Sequence, residues 1–197
     1  MHRQLAVLFL VALLEACCCR KLKSDPLPPI EELIDRGRSL PLGNKDFDQY
    51  ARVWREILAR AEEPDHRVEA LYCLAMAHQR LGRMTESERL LQQAVEIESE
   101  HHVRTLALYP LAARRYERGD VRGGIAALEE FQSRPPTNRY WNAAAGYLIG
   151  KWLVELDESE RAKEALRNFL AANPREDHFN DTSIRSARGL LKHLEKD

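Results

Sequence analysis

Residues 71–99 read LYCLAMAHQRLGRMTESERLLQQAVEIES, a stretch whose pattern returns twice later in the chain. It aligns without gaps with residues 108–136 and 146–174, at offsets of 37 and 38 residues. Such a period predicts stacked structural repeats, each of which buries its apolar face against its neighbours. The aligned positions, repeat by repeat, are Leu74, Ala75, Gly82, Ser87, Leu91 and Ala94; Leu111, Ala112, Gly119, Gly124, Leu128 and Phe131; and Ile149, Gly150, Asp157, Ala162, Leu166 and Phe169.

A weaker copy of the pattern precedes these three units. Sliding the first unit back by 37 residues places large apolar side chains at positions equivalent to its second half. These side chains are Phe47, Tyr50, Trp54, Ile57 and Leu58. We therefore predict about four repeats over residues 30–176, of which the first is degenerate.

Each unit is predicted to be a pair of helices joined by a tight turn. In the first clear unit the spacing i, i+3, i+4, i+7 marks one face of a helix. The residues on this face are Leu71, Leu74, Ala75 and His78. Gly82 follows, and a glycine is free to take the left-handed conformation that closes a helix.

The ends of the second helices also carry signals. Thr85 and Glu88 have the spacing of a capping box, in which a hydroxyl and a carboxylate bond each other's backbone donors. In the last unit Asn173 and Pro174 are expected to end the second helix, because proline cannot continue it.

This arrangement resembles the tetratricopeptide repeat family. The family's signature is a Leu-small pair in the first helix, Gly or Asp at the turn, and a small residue early in the second helix. A large apolar residue, an Ala or aromatic residue and a closing Pro follow. The resemblance implies an all-α fold, an α-solenoid of helix-turn-helix repeats. The Gly or Asp turn argues against HEAT repeats, and the near-neutral charge argues against RNA-binding pentatricopeptide repeats.

The common repeat of that family has about 34 residues. The extra residues of this chain are therefore expected between the units, in longer loops or longer helix ends. Residues 177–197 are predicted to form a C-terminal capping helix, since a terminal repeat leaves one face uncovered. Its apolar stripe, expected to pack on Leu166 and Phe169, consists of Ile184, Ala187, Leu190, Leu191 and Leu194.

The first residues have the layout of a secretory signal. Arg3 precedes an apolar run from Leu5 to Leu14, and the small residue Ala16 follows. A bilayer span needs about 20 apolar residues, so this run is too short to be a good transmembrane helix. We predict that residues 1–16 are a signal peptide.

The string Leu14-Glu15-Ala16-Cys17 resembles the lipobox of bacterial lipoproteins, although that family prefers a small residue in the place of Glu15. The resemblance implies that Cys17 carries lipid, including palmitate, and that residues 17–29 are a tether. An ordinary cleaved signal, or a eukaryotic anchor with acylated cysteines, is the alternative.

A lipidated N-terminus implies the cell envelope. The outer membrane, facing the periplasm, is favoured because Cys18 stands where an Asp would resemble an inner-membrane retention signal. A secreted or periplasmic soluble protein is the alternative. The four cysteines form no disulfide framework, since three of them are consecutive, and Cys73 is expected to be a small packing residue.

The composition and motifs exclude several classes of function. The chain has 30 Lys and Arg against 31 Asp and Glu, a net charge of −1, whereas nucleic-acid binders usually carry a basic surplus. It has no zinc-protease motif, no glycine-rich phosphate loop and no Gly-x-Ser-x-Gly. We therefore predict no catalysis, no cofactor, no metal site, no nucleic acid and no small-molecule substrate. The expected partner is another protein or peptide.

The most specific prediction concerns the inner, concave face of the superhelix. The first helix of each unit should turn the stripe opposite its packing face toward this side. A tyrosine recurs there in three units, at Tyr72, Tyr109 and Tyr147. These rings either help the helices pack or form a ladder that binds an extended or helical peptide. The predicted groove consists of Tyr72, Met76, Arg80, Tyr109, Tyr116, Tyr147 and Lys151.

Two cations of this groove, Arg80 and Lys151, would favour acidic ligands. The resemblance also implies what the groove does not bind. The Asn ladder of a carboxylate clamp is replaced by Cys73, Pro110 and Leu148, so chaperone C-terminal tails are not expected ligands.

The sequence leaves two hypotheses for function. The first is a non-catalytic adaptor or scaffold, held at a membrane by its lipid. The second is a permanent structural subunit or pilotin-like assembly factor of an outer-membrane, pilus or secretion complex. A large exposed apolar patch would favour the second.

Overall fold

The computed structural model describes residues 27–40, 46–134, 139–174 and 181–196. All regular secondary structure in these ranges is helical, as predicted. The predicted signal peptide and Cys17 lie outside the described residues. In chain order the helices are α1 (Ile30–Ser39), α2 (Phe47–Arg60), α3 (Pro64–Arg80), α4 (Met84–Glu96), α5 (His102–Glu117), α6 (Val121–Ser133), α7 (Arg139–Glu155), α8 (Ser159–Ala172) and α9 (Asp181–Leu194).

The helices stack as pairs in the order of the chain. The closest packing is within the pairs α3 with α4, α5 with α6 and α7 with α8, and each pair also packs on the next. The first helices are long, 16 or 17 residues, which accounts for part of the extra repeat length. The result is an α-solenoid whose apolar core runs from α1 to α9.

The turn inside each pair takes the predicted left-handed backbone conformation. The φ angle is 73° at Gly82, 90° at Gly119 and 57° at Asp157, the aligned positions of the three repeats. In each case the backbone N–H of the following residue donates to a carbonyl five residues earlier, as in the bond from Arg83 to His78 of 2.9 Å. These bonds satisfy carbonyls at the end of the first helix and reverse the chain.

Small residues permit the close crossing of the two helices in each pair. A Cβ on Gly150 would stand 2.6 Å from Cδ2 of Leu166, and one on Gly124 would stand 3.0 Å from the carbonyl oxygen of Ala112. The first distance is shorter than real Cβ contacts allow, and the second is tighter than nine in ten of them. The small-residue positions of the repeat are therefore required by packing.

The predicted capping box at Thr85 and Glu88 is wrong. Helix α4 begins at Met84, and no side chain caps it. The tight turn after Gly82 starts the helix before Thr85, so its hydroxyl comes too late to act as the cap. Glu88 instead forms an ion pair of 3.0 Å with Arg118, at the end of α5.

The C-terminal helix covers the end of the array. Ile184 and Ala187 are fully buried, in the same apolar cluster as Leu166 and Phe169. Helix α9 packs on both α7 and α8, and Arg167 of α8 donates to Glu195 at 2.8 Å. The predicted packing of this helix is confirmed. Residues 177–180, the start of the predicted capping segment, lie outside the described residues.

Candidate functional site: the inner face of the first helices

The packing stripe of the first helices lies where the sequence predicts it. Leu71, Leu74, Ala75 and His78 of α3 are all buried. The stripe on the other side of the first helices, here called the inner face, consists of the seven residues of the predicted groove. Six of them are half-buried, and Arg80 is exposed.

The recurring tyrosines bridge neighbouring elements. Tyr109 of α5 packs edge-on against Trp141 of α7, with ring centroids 4.9 Å apart. Tyr147 of α7 donates its hydroxyl hydrogen to Oγ of Ser186 on α9 at 2.8 Å, and its ring lies 5.8 Å from that of Phe169. Tyr72 packs against the N-terminal part of the core. The rings are therefore held in place by contacts within the array.

A polar and aromatic cluster joins α5 and α7. Tyr116 stacks on Trp152 with centroids 4.5 Å apart and planes 9° from parallel. Its hydroxyl donates to Glu155 at 2.7 Å, and this hydrogen bond raises the tyrosine's pKa. Lys151 lies 3.9 Å from the same carboxylate. The structure thus brings Tyr116 and Lys151 together around Glu155, an acid that the sequence prediction did not include.

Burial affects two tyrosines of the inner face and the neighbouring Cys73. Loss of solvation raises the pKa of Tyr72 and of Tyr109. It also raises the pKa of Cys73 to about 12, so this thiol is not a reactive thiolate at neutral pH. The phenolic hydroxyls are therefore hydrogen-bond donors, and Cys73 is a packing residue of the core, as predicted.

The cations of the predicted groove are not equivalent. Lys151 is partly neutralised by Glu155, whereas Arg80, at the end of α3, forms no ion pair with any described residue. The positive bias of the inner face therefore comes mainly from Arg80. Met76 is a half-buried apolar side chain on the same helix.

Two features were missed by sequence reasoning. Tyr140 and Trp141 are exposed aromatic residues at the start of α7, and Tyr140 stands seven residues before Tyr147 on the same helix face. That spacing was the sequence signal for the pair.

The second feature is a cavity between α6 and α8. Its sequence signal was Gly146, at a position where the preceding repeats carry leucine.

Within the described ranges, no group of three His, Cys, Asp or Glu side chains is placed to hold a metal ion. No helix in the same ranges is both long and apolar enough to cross a membrane.

The fold defines a class of protein, the α-solenoid of helix-turn-helix repeats. Residues 144–175 match the family model of the tetratricopeptide repeat. This segment therefore matches one tetratricopeptide repeat, the family that the sequence resembles.

Solved structures share the fold at low sequence identity. MamA 41-end from Desulfovibrio magneticus RS-1 has a TM-score of 0.58 and 18% identity, covering 85% of this chain and 93% of that one. Another MamA structure has a TM-score of 0.55 and 21% identity, with coverages of 87% and 91%. A Podosopora anserina putative kinesin light chain with TPR-like repeats has a TM-score of 0.56 and 19% identity, with coverages of 85% and 83%. No curated protein sequence matches the chain.

Proposed function

We propose that this protein is a non-catalytic scaffold that binds another protein or peptide along the inner face of its first helices. One observation carries the proposal: the aromatic rings of this face are fixed in position by contacts between repeats. A ring that is already held loses little conformational entropy when a partner packs on it. Tyrosine also offers a large contact area with a polar tip.

The charge of the inner face favours an acidic ligand. Arg80 is exposed and has no acidic partner among the described residues. An acidic group of the ligand would meet this cation and would steer the encounter. Lys151 would add to this effect when the ligand competes with Glu155 for its ammonium group.

We also propose that lipid on Cys17 holds the scaffold at a membrane, with the outer membrane facing the periplasm favoured. The support is the apolar run before Ala16-Cys17 and the small number of residues between Cys17 and the first helix. The described chain starts at Leu27, and the carbonyl of Pro28 accepts a hydrogen bond from Arg60 at the end of α2. Pro28, in the described part of the predicted tether, therefore lies beside the end of α2.

The alternative role is a permanent subunit or pilotin-like assembly factor. Such a subunit would need a large apolar surface for its complex. In the described part of the chain the exposed large apolar side chains are Leu27, Met84, Tyr140 and Trp141, and only the last two are adjacent. This distribution favours the adaptor.

The proposal is tested by separating partner capture from folding. The double variant Arg80→Glu, Lys151→Glu reverses two charges on the inner face, while the control Arg52→Glu reverses one charge on the exposed side of α2. Helicity by circular dichroism checks the fold, and pull-down from native membranes measures capture. We expect the double variant to remain folded and to lose the partner, and the Arg52 variant to keep it. Equal capture by both folded variants would show that the partner does not bind the inner face.

A further inference from the structure

A cavity of about 840 Å³ lies between the second helices α6 and α8. Helix α7 forms its floor through Ala143, Gly146 and Leu153. None of the seven inner-face residues lines the cavity. Gly146 and Leu153 lie one and two residues from Tyr147 and Lys151 and so occupy a different face of α7. The cavity is therefore separate from the proposed binding face, and a ligand bound in it would add to the proposed function.

The preceding repeats show what normally fills this space. At offsets of 38 and then 37 residues, Gly146 corresponds to Leu108 and Leu71. Both leucines are buried, with exposures of 1% and 4%. The last unit, repeat four, has only hydrogen at this position, so no side chain of α7 fills this space. The nearest atom to a Cβ there would be Nε2 of Gln132, at 3.2 Å.

A second aligned position of repeat four carries a shorter side chain than the preceding repeats do. Asn142 corresponds to Arg104 and Arg67, which each donate to a backbone carbonyl of the preceding repeat, at 3.0 Å to Val95 and 3.3 Å to Ala61. The shorter Asn142 lines the cavity, and its side-chain oxygen is buried without a hydrogen-bond partner in the described structure. A buried acceptor of this kind requires a donor.

The third difference concerns a side chain that closes the corresponding groove of repeat three. Arg115 of α5 spans the space between α4 and α6, donating to Gln92 at 2.7 Å and to the carbonyl of Gly123 at 3.1 Å. Its counterpart in repeat four is Leu153, which makes no such bridge. Three aligned positions around this groove thus differ between repeat three and repeat four.

The charges around the cavity are asymmetric. Glu129 and Arg161 neutralise each other at 3.0 Å, and Glu164 on the same helix as Arg161 adds an exposed carboxylate to the lining. Arg139, by contrast, is exposed and forms no ion pair with the described residues. It also lies at the N-terminus of α7, where the helix dipole favours an anion. A ligand carboxylate is therefore complementary to the Arg139 end.

We propose that this cavity is a second peptide-binding site, which takes a leucine-sized apolar side chain over Gly146 from a partner protein. A backbone N–H of the bound segment would donate to the side-chain oxygen of Asn142. An acidic residue next to the apolar one would lie beside Arg139. The partner would thus supply the apolar side chain that Leu71 and Leu108 supply in repeats two and three.

Variants that restore the residues of the other repeats test this site. Gly146→Leu refills the cavity. A Cβ there would stand 3.2 Å from Nε2 of Gln132, the far end of a flexible side chain, and 3.7 Å from Cβ of Phe169. Asn142→Arg supplies a second closing variant if the first does not fold. Gly189→Leu on α9 is the matched control, because nothing lies within 4 Å of a Cβ at that position.

The test is selection of a random heptapeptide phage library on the purified full chain. We expect enriched peptides to pair an aliphatic residue with a neighbouring Asp or Glu, and a synthetic copy to bind about tenfold more weakly to Gly146→Leu. Arg139→Glu should weaken binding about fivefold. Gly189→Leu should bind like the parent. The inner-face double variant Arg80→Glu, Lys151→Glu should also bind normally, which separates this site from the proposed function.

Three outcomes would overturn the proposal. The first is that no peptide of this kind is enriched. The second is equal binding to the parent and to a folded Gly146→Leu or Asn142→Arg variant. The third is a change of oligomeric state on closing the cavity, measured by sedimentation, which would assign the space to a second copy of the chain.

Discussion

The turn residues Gly82, Gly119 and Asp157 show how single positions define the repeat. All three have positive φ, a conformation that costs ordinary residues energy because Cβ approaches the backbone. The first two are glycine, and the third is aspartate, one of the few other residues that tolerate this region. The alignment of these positions in the sequence was therefore a signal of backbone conformation as well as of spacing.

Replacing the turn glycines should destabilise the protein. We expect Gly82→Ala and Gly119→Ala each to lower the free energy of unfolding by about 1 kcal/mol, because alanine resists the left-handed conformation. Gly189→Ala is the control, since Gly189 lies inside α9 with open space around it. It should raise stability by up to about 1 kcal/mol, through better helix propensity. Urea unfolding measures all three, and a neutral effect at both turn glycines would contradict this account.

The capping box shows where local sequence signals stop being informative. Thr85 and Glu88 have the correct spacing, but the hydrogen bonds of the turn after Gly82 decide where α4 begins. In the next repeat Asp120 stands at the N-cap itself and accepts from the N–H of Gly123 at 3.0 Å. The position relative to the turn, and not the residue types alone, determines whether a side chain caps the helix.

At the scale of elements, the crossing of α7 and α8 depends on Gly150 and Leu166. A Cβ on Gly150 would overlap the Leu166 side chain, so we expect Gly150→Ala to destabilise the protein by about 1–3 kcal/mol. Leu166→Ala alone should cost about 2–5 kcal/mol, because it leaves a cavity. The double variant should cost less than the sum, since the new methyl group occupies space that the leucine has left. Additive effects in thermal unfolding would show that the two residues do not share this contact.

The capping helix should contribute to stability rather than to recognition. Deleting residues 182–197 uncovers Leu166, Phe169 and their neighbours, so we expect a marked fall in melting temperature or aggregation. The milder variant Ile184→Ala should cost about 2–5 kcal/mol, since Ile184 is fully buried. A truncated protein as stable as the parent that loses its partner would instead make α9 a recognition element.

Most of the helical array could be predicted from the sequence, because buried, small and turn residues recur at the same positions of each repeat. The inner face could be located, but the contacts of Tyr147 with Ser186 and of Tyr116 with Glu155 could not. They join residues that are 39 positions apart and belong to different elements. The cavity was harder still, since it arises from side chains that are missing. Only the comparison of Gly146 with Leu108 and Leu71 makes it visible.

For the whole molecule, the membrane attachment is a prediction from residues outside the described structure. We expect intact-mass analysis of the native protein to show loss of residues 1–16 and acyl chains on Cys17. Cys17→Ser should leave the protein unprocessed or release it from the membrane fraction, and Cys73→Ser is the control. A mature form that starts elsewhere and carries no lipid would contradict the predicted anchor while leaving the scaffold proposal intact.

The central claim is that the inner face binds the partner, and site-specific photo-crosslinking in native membranes tests it most directly. A photoreactive amino acid is placed at Met76, on the inner face, and at Gln93, on the exposed side of α4. We predict a discrete crosslinked product from position 76 that is absent from position 93 and disappears in the Arg80→Glu, Lys151→Glu variant. A product from position 93 and none from position 76, in a protein with normal helicity, would contradict the claim.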